Sequence, residues 1–418
     1  MPEAADEARA AAEAAARRSY GKLVAFLAAR SRDVAGAEDA LADAFAAALA
    51  SWPETGVPAR PEAWLLSVAR RRAADQHRRR ATRQAALPHL RLMSEETEAE
   101  TVHDDLPDER LGLIFACAHP ALDPGVRAPL ILQTLLGFDA ATIASAFLVS
   151  PAAMGQRLVR AKARIRQAGI PFRIPDRTEL GERLQAVLEA IYAAFSEGWG
   201  DAAGSESRRR NLASEAIWLG RLVVRLMPDE PEALGLLALM LHAEARREAR
   251  RDAAGEFVPL SQQDTRLWDA DLAGEADALI MRAGPFAALG RYQIEAAIQS
   301  AHAARRFTGC TDWPAIATLY AAILAISASP VAAVNHAVAV AYAGRPAEGL
   351  RLLDAIGDTR LDTYQPYWAA RAELLSLTGD AELARKAYLV AIGLETDPAV
   401  RRFLEKRREA LAPGQPGG

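Results

Sequence analysis

At 418 residues the chain is too long for one compact core, which points to two or three domains. Its composition, 51% hydrophobic and 25% charged with a net charge of −4, supplies ordinary globular cores. The two cysteines, Cys117 and Cys310, lie too far apart to make a disulfide framework, which suits a reducing cytoplasm. The acidic start MPEAADEARA has no apolar stretch behind a basic head, so no signal peptide is expected. Alanine dominates while β-branched and aromatic residues are sparse, and no period-two strand stands out. The fold expected is all-α.

Charge is unevenly spread. Residues 67–91 hold eight arginines and one acid, Asp75, and residues 157–173 hold six basic residues and no acid. Residues 95–109 between them carry eight acids. Two basic patches around an acidic connector suit a nucleic-acid reader, although either run alone reads better as a solvated helix face.

In chain order, residues 10–80 form a helical unit with a Pro/Gly break over 52–58. Its Ala37–Phe45 stretch sets Glu38, Asp39 and Asp43 on a helix with apolar neighbours, a pattern that the helix dipole also favours. The helix over 61–80 has Leu65, Val68 and Ala69 on its apolar side and Trp64 at the edge. Steps of about 100° put Ser67, Arg70, Arg71, Ala74 and Arg78 on the far side. These arginines could track a nucleic-acid strand, while Trp64 stacks a base or anchors the helix to the core. Residues 81–107 are polar, acidic and poorly periodic, as in a linker.

Residues 108–170 form a second helical unit. A first apolar helix ends at Gly137, and a short helix with Ile143, Ala144 and Phe147 follows. A tight connection then runs through Leu148 and Val149. Ser150 is a good N-cap and Pro151 suits the first helical position. Met154, Leu158, Ala161 and Ile165 make one stripe that must pack inward. The opposite side presents Ala152, Ala153, Gln156 and Arg160, flanked by Arg157 and Arg164. A scaffold helix followed by a helix with a small, polar and basic outer face is the layout that enters a major groove. There, glutamine can bond adenine and arginine can bond guanine, with the remaining arginines on phosphates. The plain alternative is an amphipathic surface helix.

Gly169-Ile170-Pro171 ends this unit. After Pro175 the chain reads as helical to about Leu411, with a frayed tail at 413–416. Residues 314–344 hold no Asp, Glu, Lys or Arg, yet Ser327-Ala328-Ser329-Pro330 divides them, so two buried helices are expected and no membrane contact. Ala343–Glu348 and Thr378–Leu383 are alike at a spacing near 35, and Ala288–Tyr292 has a similar look. This suggests stacked helix pairs with a concave face for a partner.

The residues then fall into a known order. An acidic Ala37-Glu38-Asp39-Ala40-Leu41 helix and a Trp52-Pro53 loop come first. Pro61-Glu62-Ala63-Trp64-Leu65-Leu66-Ser67-Val68-Ala69-Arg70, an arginine cluster and a linker follow. The helix pair ending Gln156-Arg157-Leu158-Val159-Arg160-Ala161-Lys162 closes the series. Over residues 15–170 this resembles extracytoplasmic-function sigma factors of bacterial RNA polymerase. Residues 114–122, 195–199 and 228–240 resemble a subgroup with a long, tetratricopeptide-like C-terminal extension associated with control of activity. The resemblance implies that Glu38, Asp39 and Asp43 grip core RNA polymerase. It implies that Arg70, Arg71, Asp75 and Arg78, on the helix that carries Trp64, hold the melted −10 strand of promoter DNA, and that helix 151–166 reads the −35 element. Arg71 stands where the class often has Asn, and Thr142 where it often has Glu. The domains implied are 10–80, an acidic linker 81–107, 108–170 and 176–411. The last would be a helical extension that covers the reader or meets another protein.

Two other classes compete. A polymerase-independent helix-turn-helix regulator with a sensing repeat domain would leave the acidic helix without a purpose. An enzyme would need more than Cys117 and His119, which no second cluster completes into a metal set. No phosphate-cradling loop or nucleophile motif is present, and no cofactor is expected.

Overall fold

The computed structural model describes residues 2–83, 108–147, 149–199, 207–284 and 289–411. Most of the expected linker (84–107), Leu148 and the tail beyond 411 fall outside the described residues, as does the side chain of Arg78. The described chain is helical throughout, with no strand and one isolated bridge between Arg251 and Phe257. By packing it divides into two compact units, one running to residue 198 with 208–216, the other comprising 199–207 and 217–418.

The first unit is built on α1 (Pro2–Ser31), whose Leu23, Val24, Phe26 and Leu27 are buried. Helix α2 (Val34–Thr55) starts at Asp33, whose carboxylate accepts from the Gly36 amide at 3.1 Å. It buries Ala37, Leu41, Ala44, Ala48 and Trp52, a helical stripe facing α1. The break expected over 52–58 falls at its glycine. α2 continues through Pro53, and the chain turns at Gly56, where φ is +83°. Trp52 is fully buried, which holds the last turn helical, and only glycine takes the following left-handed step without strain. Helix α3 (Pro61–Arg83) closes this part with Leu65, Leu66 and Ala69; Leu66 takes the inward place expected of Val68.

Helix α4 (Arg110–Cys117) is buried from Leu111 to Cys117 and lies against α1 and against α5 (Pro124–Leu136). The approach of α1 to α5 depends on Gly21, where a Cβ would collide with the Leu135 carbonyl oxygen. Helix α5 stops at Gly137, left-handed at φ +72°. Helices α6 (Ala140–Ala146) and α7 (Pro151–Gln167) follow. Helix α8 (Arg177–Trp199) contributes Arg183, 7% exposed, which donates to the Phe115 carbonyl at 3.0 Å in the last turn of α4. That carbonyl would otherwise be an unpaired helix end.

The second unit takes the end of α9 (Ser207–Leu226) and then α10 (Pro231–Ala245), its most buried helix, enclosed from Ala233 to Ala243. Against α10 pack α11 (Ala270–Ala283) and α12 (Arg291–Ala303), and Glu232 accepts from the Tyr292 and Gln293 amides at 3.1 Å each, capping α12. The short α13 (Arg305–Thr308) leads into α14 (Trp313–Ile326) and α15 (Pro330–Tyr342), then α16 (Pro346–Asp354), α17 (Gln365–Leu377), α18 (Ala381–Leu394) and α19 (Pro398–Glu409). The apolar stretch 314–344 is broken at Ser327, and Ser329 caps α15 through the Ala332 amide. No described helix is long and apolar enough to cross a membrane. Gly344 and Gly379 both sit at φ +88°, and in each case the next amide bonds back to the preceding helix (Arg345 to Val340, Asp380 to Leu375). The turn seen twice in the sequence is therefore the same turn in space. Gly290 is different: it is extended and pressed against Glu232.

Candidate nucleic-acid interface

Local capping sets the α6–α7 pair. Asp139 accepts from the Thr142 amide at 2.7 Å and from its hydroxyl at 3.0 Å, so threonine here fastens the start of α6. Ser150 accepts from the Ala153 amide at 3.3 Å and Pro151 opens α7. Ile143 and Ala144 of α6 are fully buried, and Met154, Leu158, Ala161 and Ile165 of α7 are at most 5% exposed. Burial of each large apolar side chain is worth about 1.5–3 kcal/mol, enough to hold one face of α7 inward.

The outward face follows from this. Ala152, Gln156, Arg157, Arg160 and Arg164 are exposed and Ala153 is half-buried. Arg160 folds back so that its Nε donates to the Gln156 carbonyl at 3.3 Å. One residue of this face is missing from the sequence reading, namely Val159, which is 68% exposed. The signal was available, since Val159 stands next to Leu158 but off the buried stripe.

The flank of α7 toward α2 carries Lys162 and Arg166. Lys162 is ion-paired with Glu38, their side chains 11% and 14% exposed, and Arg166 meets Asp33 at 3.3 Å. Burial pushes the Glu38 carboxyl above the ordinary carboxylate range, while Lys162 pulls it the other way. Glu38 is thus separated from Asp39 and Asp43, which are exposed on another side of α2.

The α3 residues also divide. Trp64 is half-buried and meets the buried Trp52 edge to face, 5.5 Å between centroids. The Arg70 guanidinium lies over the Phe26 ring at 5.0 Å. Arg71 is exposed and donates to the Ser67 hydroxyl at 3.1 Å, and Asp75 is exposed. Elsewhere, Cys117 is fully buried with its sulfur 3.5 Å from the Thr134 hydroxyl, and burial pushes its thiol up to about 12. His119 uses Nδ1 to accept from the Ala121 amide at 3.0 Å. Among the described residues no group of three or more His, Cys, Asp or Glu is placed to hold a metal.

Comparison with known proteins gives this geometry its class. Residues 16–83, spanning α1 to α3, match the model of sigma-70 region 2, which supports a sigma-70 family factor with a role in transcription initiation. Residues 183–284 match a family of unknown function, DUF6596. The chain is 41% identical to an uncharacterized protein of Rhizobium meliloti (strain 1021) over 382 residues, covering 90% of each chain, and it belongs to the same family as that protein. No solved structure matches.

Proposed function

We propose that the chain is a sigma factor of the extracytoplasmic-function type that binds core RNA polymerase and directs promoter-specific initiation. The observation that carries this reading is the match of residues 16–83 to sigma-70 region 2. Asp39 and Asp43, exposed on α2, form the part of the acidic helix that meets polymerase; Glu38 joins them once freed from Lys162. Helix α7 enters the −35 major groove with Ala152, Ala153, Gln156 and Arg160, while Arg157 and Arg164 hold phosphates. On α3, Arg71 and Asp75 meet the melted −10 strand, with Arg70 and Arg78 along the same helix and Trp64 chiefly bracing it. Phosphate contacts from both helices make promoter binding steeply salt-dependent.

Reading both elements requires a change of shape. The −10 and −35 elements lie about 25 base pairs apart, or about 85 Å at 3.4 Å per pair. α2 and α7 touch through Lys162 and Glu38, so the α1–α3 and α4–α7 parts separate when promoter is bound. The helical extension, with its turn repeated at Gly344 and Gly379, is a tetratricopeptide-like regulatory domain. Truncation to test its sign belongs after Ala216, where the first unit ends, so that Arg183 remains to cap α4. Higher activity of the truncated chain means inhibition by the extension; lower activity means a required contact.

The decisive experiment is transcription by purified core polymerase on genomic fragments, with and without the full chain. Promoter-specific initiation is expected, and it is expected to weaken in Asp39→Ala/Asp43→Ala. A chain that binds promoter duplex but never associates with core polymerase at low salt overturns the reading in favour of a polymerase-independent regulator.

A further inference from the structure

The second unit holds a cavity of about 140 Å³, partly open to solvent, between the segment 260–268 and the run of helices from α12 to α15. Its wall is largely aromatic. Trp313 and Tyr342 stack with centroids 4.7 Å apart and planes 20° apart, His302 meets Trp313 edge to face at 5.4 Å, and Trp268 is also in the wall. One cation joins these rings. The Arg305 guanidinium lies over the Trp268 ring at 5.3 Å and uses two of its five N–H groups on the Ser261 and Gln263 carbonyls, at 2.6 Å each. Neither partner is charged, and the wall contains no carboxylate. Glu373, which accepts from the Tyr342 hydroxyl at 3.0 Å, is itself paired with Arg407. His302 adds a neutral donor. Burial, Arg246 and Arg305 push it down to about 4, so at pH 7 it carries one N–H and no charge. Among the described residues, neither of its ring nitrogens has a hydrogen-bond partner.

Charge decides what such a wall can hold. Aromatic rings alone would suit a quaternary ammonium group, but Arg305 repels a cation and no acid in the wall offsets it. A phosphate brings more negative charge than one guanidinium balances. A single carboxylate matches Arg305 in both charge and planarity. Size sets the rest of the guest: benzene fills a cavity of about 150 Å³, so there is room for one six-membered ring. We propose that this cavity is a binding site for a small aromatic carboxylate, its ring among Trp268, Trp313 and Tyr342 and its carboxylate on Arg305 and His302. Such a guest ties the segment 260–268 to α12–α15, and binding to the folded chain alone raises its melting temperature. The site does not depend on how α3 or α7 meets DNA.

The test titrates the full chain calorimetrically with four probes at pH 7: benzoate, neutral benzamide, cationic benzylammonium and acetate. Benzoate should bind at one site with a dissociation constant of about 1 mM or tighter, the range open to so small a molecule. Benzamide, which lacks the charge, and acetate, which lacks the ring, should each bind about tenfold more weakly or worse. Benzylammonium should not bind. In Arg305→Gln the affinity for benzoate should fall about tenfold while that for benzamide stays. Arg305 also holds the segment 260–268, so a second measurement uses the unsubstituted chain. The imidazole resonance that is missing from His302→Gln should shift on addition of benzoate, and that of His119 in the first unit should not. An unmoved His302 resonance overturns the proposal, whatever Arg305→Gln does. So does the absence of saturable benzoate binding, benzamide bound as tightly as benzoate, or benzylammonium bound in its place.

Discussion

Arg160 and Lys162 stand two positions apart on α7 and have opposite surroundings. Arg160 is exposed and tied only to its own helix, whereas Lys162 is 11% exposed and held by Glu38. Arg160→Ala should therefore leave thermal stability within about 0.5 kcal/mol of wild type. Run-off transcription from a cognate promoter should fall about tenfold or more, as expected for a lost base contact. Unchanged transcription would show that α7 is turned the wrong way. Leu158→Ala, one turn inside, should do the reverse at the level of the fold. It empties a fully enclosed site and should cost about 2–5 kcal/mol in chemical denaturation, with promoter binding lost only as the unit loosens.

Among elements, the contacts of α1 with α5 and of α2 with α7 join the two halves of the first unit. The first depends on Gly21, and Gly21→Ala should destabilise this unit by about 1–3 kcal/mol, because backbone rather than a flexible side chain blocks the new methyl. A melting transition identical to wild type would refute the close approach. The second contact is electrostatic. Lys162→Ala leaves the Glu38 carboxylate facing a surface from which its cation has gone, and removal of one partner of a largely enclosed pair is costly. Faster hydrogen exchange in α7 is expected in Lys162→Ala, with recovery in Lys162→Ala/Glu38→Gln. Equal exchange in all three chains would mean that the pair does not hold the helices together. The pairing also explains a limit of sequence reading: Glu38, Asp39 and Asp43 look alike along α2, and the partner that separates them lies 124 residues away.

On the scale of the whole molecule, the second unit contains histidines that burial keeps neutral. His242, 2% exposed, and His302 are both pushed below the usual 6.5, in each case chiefly by burial, with nearby arginines acting the same way; His302 is brought to about 4. Asp277 opposes the shift at His242 across 3.3 Å. A folded-state pKa below the unfolded one means that the unfolded chain binds the proton first as pH falls. Stability from these groups is therefore complete above about 6.5 and is lost as pH drops towards about 4. For His302 a displacement of that size corresponds to roughly 3 kcal/mol at most. Thermal melting of the full chain should show a transition that falls through this window. In His302→Gln the fall should be shallower; a slope unchanged by the substitution would assign the loss to other groups.

Much of the architecture is legible along the chain because helices are local structures. The alanine-rich composition, the caps at Ser150 and Ser329, the stop at Gly137, the stripe from Met154 to Ile165 and the paired turns at Gly344 and Gly379 all depend on residues within a few positions of one another. Backbone hydrogen bonding and side-chain period determine these by themselves. What the chain alone did not decide is which cations are free, that Trp64 braces against Trp52, that Arg70 lies over Phe26, that α8 caps α4 and that Glu38 turns from its acidic neighbours toward α7. Each of these depends on a partner distant in sequence. A helical period says which way a side chain points; only the packing of one helix on another says what it meets there.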